Sequence, residues 1–217
     1  MSKPAVKRAQ PGLQTVDGRL VIVSGASRSG KTVYTYRRAR QLECLFVWDI
    51  EDQWSKMQGF KRINSRAALF EICQGPRRKQ KIAFVSSGAN IKDDFDFFCE
   101  CVYLYARYTG PCGVVAEELA DVTTTAKAPP GWGILLRRGL KRGVWIFAIS
   151  QRWAEADKTA IGNASEFACF RMATGDDIAY MAKKTRIPAA RLEGLKQLEY
   201  IHFDTTTGHV EGHKITF

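Results

Sequence analysis

One stretch constrains the fold more than any other: RLVIVSGASRSGKTVYTYRRARQL, residues 19–42. It opens on an apolar run rich in β-branched residues, Leu20 to Val23, which suits a buried strand. Gly25 and Gly30 bracket a polar loop, and from Lys31 the chain continues to Leu42 without a Pro or Gly, as a helix does. The loop, Gly25-Ala26-Ser27-Arg28-Ser29-Gly30-Lys31-Thr32, has the spacing G-x-x-x-x-G-K-[ST] between a strand and a helix. Glycines there let successive backbone N–H groups curl around phosphates, and the helix N-terminus adds partial positive charge. Gly25, Ala26, Ser27, Ser29, Gly30, Lys31, Thr32 and Val33 are therefore the candidate nucleotide contacts. Lys31 would reach the outer phosphates and the Thr32 hydroxyl would ligate Mg2+. Arg28 occupies a variable position of the loop and stands outside this set.

The remaining pattern repeats the strand and helix alternation. ECLFVWDIED (43–52), KIAFVSS (81–87), CGVVAEEL (112–119), GVWIFAIS (143–150) and EFACFRM (166–172) read as strands. Helices are expected after Asn64 or Ser65, over 93–108, over 129–142 and from Asp176 to about Thr185. The last residues look like a hairpin turning near Thr207-Gly208. The expectation is an α/β fold: a mostly parallel central sheet flanked by helices, closed by a C-terminal β-hairpin. Residues 18–217 would form a single domain, and residues 1–17, with Pro4, Pro11, Gly12, Lys3, Lys7 and Arg8, a flexible basic arm.

Binding a nucleotide and splitting it are different tasks. Hydrolysis also needs an acid for the magnesium shell and a base that orients water. In parallel sheets ligands sit at the carboxyl ends of strands, and GVVAEE puts Glu117 and Glu118 there. Glu117 is assigned to Mg2+ and Glu118 to the attacking water, although an aspartate is more usual in the first position; solvated loop acids are the plain alternative. Asp49, at the end of FVWDIED, competes for a direct nucleotide role. Gln151 follows another apolar strand and could sense a γ-phosphate, or be an ordinary loop-entry residue. Arg137, Arg138 and Arg142 precede that strand and suit an arginine finger acting on a neighbouring subunit, or a solvated basic helix face.

Taken together, the G-x-x-x-x-G-K-[ST] loop, the acidic pair and RRGLKRGVWIFAISQRWAEADKTAIGNASE, with Gln151, Arg152, Ile161 and Asn163, resemble the FtsK/HerA superfamily of P-loop motors over about residues 19–172. Within it the chain is similar to the genome-packaging ATPases of tailless, membrane-containing double-stranded DNA viruses and bacteriophages. The resemblance implies a P-loop NTPase core of the RecA-like (ASCE) kind using ATP and Mg2+. It further implies a homo-hexameric ring around double-stranded DNA, driving it into a capsid at the packaging vertex, in the host cytoplasm and the virion.

A formal charge of +11 and a pI near 9.5 fit a phosphate-rich partner. GPRRKQK (75–81) is the densest basic loop, suited to DNA or to keeping a sheet edge polar. Six cysteines without a CxxC pair suggest a reduced, intracellular protein. No run approaches the roughly 18 to 20 apolar residues that span a bilayer, so no membrane span is expected. His209 and His213 flank Glu211 in an expected strand, where a half-exposed hairpin explains them better than a metal. Trp132, Trp145 and Trp153 are expected to pack. Two other readings stay open: a small-molecule or nucleotide P-loop kinase, and a filamentous-phage assembly ATPase resembling zonula occludens toxin, whose relatives usually carry a membrane segment.

Overall fold

The apolar run after Gly18 forms β1 (Arg19–Ser24), buried from Leu20 onward. The structure, a computed structural model, describes residues 18–217; the expected basic arm at 1–17 lies outside the described residues. After β1 come α1 (Lys31–Ala39), β2 (Cys44–Trp48), a 3-10 turn at Trp54–Lys56, β3 (Lys61–Ile63), α2 (Arg66–Gln74), β4 (Gln80–Phe84) and α3 (Ile91–Tyr108). The chain continues through β5 (Gly113–Ala116), α4 (Leu119–Val122), α5 (Pro130–Ile134), β6 (Trp145–Ser150), α6 (Lys158–Gly162) and β7 (Glu166–Phe170). It ends with α7 (Gly175–Thr185), α8 (Ala189–Glu193), β8 (Glu199–Asp204) and β9 (Val210–Lys214).

The described strands form one nine-stranded sheet in the order β3-β4-β2-β5-β6-β1-β7-β8-β9. The pairs from β3 to β7 are parallel, and β8 and β9 add antiparallel pairs at one side. β1 lies between β6 and β7, with Val21 level with Phe147 and Glu166. Successive side chains of a strand face opposite ways. Leu20 and Ile22 therefore join a core with Leu69 of α2, Phe95 and Phe98 of α3 and Trp132 of α5. Val21 and Val23 join another with Tyr34 and Ala39 of α1 and with Trp54.

Local chemistry sets the helix starts. Ser65 caps α2 by accepting from Ala68 N, and Asn90 caps α3, with Asp93 and Asp94 in the first turn. The helix expected over 129–142 is helical throughout but changes winding: α5, then a π turn at Leu135–Gly139, then a 3-10 turn at Leu140–Arg142. Pro130 sits in the first turn of α5, where its missing N–H costs nothing. β3, α4, α6 and α8 were not anticipated.

The basic loop at 75–81 is largely engaged within the chain. Arg77 donates to Pro111 O (3.2 Å), Lys79 pairs with Glu43 (2.7 Å) and Lys81 donates to Arg40 O (3.0 Å). That arrangement favours a solvated turn. In the hairpin, His202 contacts Glu166 (2.9 Å), while His209 precedes β9 rather than lying in it, correcting the expectation of a shared strand. Trp132 and Trp153 are buried, bonded to Asp157 and to Val23 O respectively. No described helix is long and apolar enough to cross a membrane.

Candidate functional site

Buried β1 ends at Ser24 and delivers the loop to the carboxyl edge of the sheet. Gly25 (φ 153°) and Gly30 (φ 111°) take backbone conformations that side chains disfavour. A Cβ on Gly25 would meet Phe170 Cβ at 2.6 Å and Ser29 Oγ at 2.8 Å, so the tight curl depends on glycine. α1 then begins at Lys31 with no side-chain cap, which leaves its first N–H groups for an external acceptor. Lys31 is buried, and its ammonium donates to Gly25 O (2.8 Å) and Ala26 O (2.9 Å). Burial lowers its pKa, while Glu118 and Glu117 pull it back up.

A cleft of about 400 Å³ opens beside this loop, lined by Ser27, Arg28, Lys31, Thr32, Glu51, Gln53, Glu117, Glu118, Ile149 and Gln151. Residues distant in the chain thus converge because β1, β2, β5 and β6 end at the same edge. Glu117, just after β5, is buried and accepts a hydrogen bond from Trp54 Nε1 at 2.7 Å. Its pKa is pushed up to about 7: burial is the main cause, the indole opposes it, and Asp49, Glu118 and Glu51 add to it. Glu118 has left-handed backbone (φ 44°), a strained conformation for a residue with a side chain. Gln151 holds its carboxylate, with Nε2 at 3.1 Å and the backbone N at 3.4 Å.

Asp49 does not line the cleft. It is fully buried, and its two oxygens accept from Gln53 N and Ser55 N, each at 2.8 Å, so it holds the turn after β2. Arg28, Glu51 and Gln53 line the cleft but were not singled out as site residues. Glu51 and Gln53 follow a strand end, the rule that had pointed to Asp49.

The three arginines stand apart from their own chain's cleft. Arg137 folds against Gly133, and Arg138 and Arg142 line a separate cavity with Tyr103, Arg107 and Lys141. Arg142 lies 5.9 Å above the Tyr103 ring. Burial would raise the Tyr103 pKa, but hydrogen bonds from Arg142 and Arg138 outweigh it and lower it.

The donor set in the cleft suits a hard divalent cation. Thr32, Glu117 and Glu118 offer oxygen atoms, and neither Cys nor His lines the site, which matches Mg2+ rather than zinc. The glycine curl and the uncapped helix start fit the phosphates that would share such an ion.

The fold agrees with known structures. The genome packaging NTPase B204 from Sulfolobus turreted icosahedral virus 2, solved in complex with AMPPCP, superposes with a TM-score of 0.73 at 15% identity, covering 94% of this chain and 100% of that one. The chain has the fold of a P-loop NTPase. The bacterial conjugative coupling protein TrwB also shares the fold, with a TM-score of 0.65 at 8% identity, covering 94% of this chain and 86% of that one. In sequence, Protein P9 of Pseudoalteromonas phage PM2 is 26% identical over 208 residues, 92% of this chain and 87% of that protein. No family model matches. B204 has also been solved with ATP-gammaS and with AMP.

Proposed function

We propose that residues 18–217 act as a single ATPase domain that hydrolyses ATP to move double-stranded DNA into a viral capsid. The observation that carries this reading is the convergence of Lys31, Thr32, Glu117, Glu118 and Gln151 on one cleft. The likeness to the genome packaging NTPase B204 supports the packaging assignment, the likeness to a phage protein supports a viral setting, and the net charge of +11 supports a polyanionic cargo.

The mechanism follows from the cleft. The N–H groups at the start of α1 receive the phosphates, and Lys31 turns its ammonium from the Gly25 and Ala26 carbonyls toward them. Thr32 and Glu117 would hold Mg2+, which when bound would supply positive charge against the outer phosphates. Glu118 accepts a proton from the attacking water, and Gln151, hydrogen-bonded to it, ties that base to the γ-phosphate position. Arg137, Arg138 and Arg142 lie outside their own cleft, so any role in charge stabilisation requires a second copy, as in a homo-hexameric ring. The basic arm at 1–17 is left to DNA or the capsid, and the protein works in the host cytoplasm and at the packaging vertex.

Native mass measurement with ATP and duplex DNA tests the assembly. A closed ring of identical subunits is expected. A strict monomer that transfers phosphate to a nucleoside or metabolite overturns the motor in favour of a kinase.

A further inference from the structure

The turn after β2 carries a feature that the nucleotide-binding loop and the acidic pair do not explain. Trp54 is fully buried, and the one polar atom of its side chain donates to Glu117 Oε1 at 2.7 Å, across 63 residues of chain. We propose that Trp54 is a positioning residue for the magnesium-binding carboxylate. Its indole N–H fixes one oxygen of Glu117 and leaves Oε2 as the free acceptor.

The placement of the ring supports this. Asp49 accepts from Gln53 N and Ser55 N, so one buried carboxylate pins the backbone on both sides of Trp54. Asp52, at φ 51°, accepts from Ser55 Oγ (2.5 Å) and Arg62 Nε (2.9 Å), which holds the same turn from its outer side. The indole packs against Phe60 at 5.5 Å between centroids and against Tyr36 at 5.9 Å. Tyr36 lies one turn along α1 from Thr32, the other residue assigned to the metal. A single rigid ring therefore touches the helix that bears Thr32 and bonds the carboxylate that follows β5.

A buried ionised carboxylate needs hydrogen-bond donors, and a donor held by packing fixes its rotamer as well as its charge. Phenylalanine would satisfy the packing against Phe60 and Tyr36; only a ring with an N–H supplies the bond. Of the other fully buried indoles, Trp132 and Trp153 donate to Asp157 and to Val23 O, neither of which lines the cleft, and the Trp48 N–H finds no partner among the described residues.

This inference rests on the proposed magnesium role of Glu117, and the test separates the two. Mn2+ binding to the protein with a non-hydrolysable ATP analogue is followed by electron paramagnetic resonance. The proteins are wild type, Glu117→Gln, Trp54→Phe, and a protein carrying benzothienylalanine at 54, which keeps the ring shape and replaces N–H by sulfur. Analogue binding in EDTA provides the metal-free reference. The expected result is roughly ten-fold weaker Mn2+ binding for the sulfur isostere and for Trp54→Phe, with metal-free analogue affinity unchanged. Mn2+ affinity within two-fold of wild type for the isostere overturns the inference, as does an equal fall in metal-bound and metal-free affinity, which would mark a packing role. If Glu117→Gln itself leaves Mn2+ binding unchanged, the metal role of Glu117 fails first, and the inference with it.

Discussion

Replacing Glu117 with glutamine should stabilise the metal- and nucleotide-free protein at alkaline pH. The carboxyl is buried, and its pKa is raised from 4.5 to about 7, chiefly by burial. The unfolded chain ionises near the ordinary value, so between these two pH values the unfolded state sheds its proton first and stability falls as pH rises. Below the ordinary value the two states are equally protonated and the cost vanishes. Above pH 7 the cost is complete, and the separation of the two pKa values corresponds to about 3 kcal/mol. Glutamine cannot ionise, and its carbonyl can still accept from Trp54 Nε1. The assay is urea unfolding of wild type and Glu117→Gln in EDTA at pH 5 and pH 8, with the denaturant slope checked for constancy. The expected gain for the variant is about 3 kcal/mol at pH 8 and about 1 kcal/mol or less at pH 5. Titrating groups that do not interact with Glu117 are common to both proteins and cancel; its neighbours Asp49, Glu118, Glu51 and Lys31 feel the loss of its charge. A gain equal at the two pH values, or none at pH 8, would refute the argument that burial of this carboxyl destabilises the empty site.

Three further outcomes follow from the geometry. Lys31→Ala should abolish nucleotide binding measured by calorimetry, whereas Glu118→Gln should bind ATP normally but hydrolyse it roughly 100-fold or more slowly; a trap produced by Glu117→Gln instead would exchange their roles. Mixing Lys31→Ala subunits with Arg138→Ala or Arg142→Ala subunits should restore part of the phosphate release that either lacks alone, and no recovery in any mixture would remove the trans arginine. At the opposite end of β7, Glu166 is buried and accepts from Arg38 (2.6 Å), Arg19 (2.8 Å) and His202 (2.9 Å), so Glu166→Gln should cost about 3 to 5 kcal/mol in urea unfolding at pH 7. These partners hold its pKa well below the ordinary value against the opposing effect of burial, so its contribution is present above that value and is lost as pH falls below it.

Much of this was legible where one residue type had one job. The glycine loop between β1 and α1 needs φ values that few residues adopt, and a run such as WIFAIS has no use except as a buried strand. β3 was hidden because Lys61 and Arg62 are exposed and only Ile63 is buried, which leaves no alternation to read. The winding of residues 130–142 was hidden too, because composition marks a helix but not where it widens into a π turn. At the site, strand ends pointed to Glu117, Glu118 and Gln151, which the fold brings to one cleft. The same rule overreached at Asp49, since a strand end reveals that a carboxylate is near the edge and not whether its oxygens are already taken by Gln53 N and Ser55 N. The bond between Trp54 and Glu117 joins separate turns whose proximity depends on β2 pairing with β5, a register that local pattern does not carry. For the arginines, the sequence allowed a finger or a solvated basic face; the fold adds that Arg138 and Arg142 line a cavity away from their own chain's cleft, with Arg137 folded against Gly133.

The central claim is that this cleft splits ATP in the service of moving duplex DNA. The most direct measurement is steady-state phosphate release by the purified protein with Mg2+·ATP, with and without double-stranded DNA, for wild type and Glu118→Gln. Wild-type turnover should rise with duplex DNA, and turnover should disappear in Glu118→Gln under both conditions. Wild-type turnover indifferent to DNA, or turnover that survives Glu118→Gln, would contradict the claim.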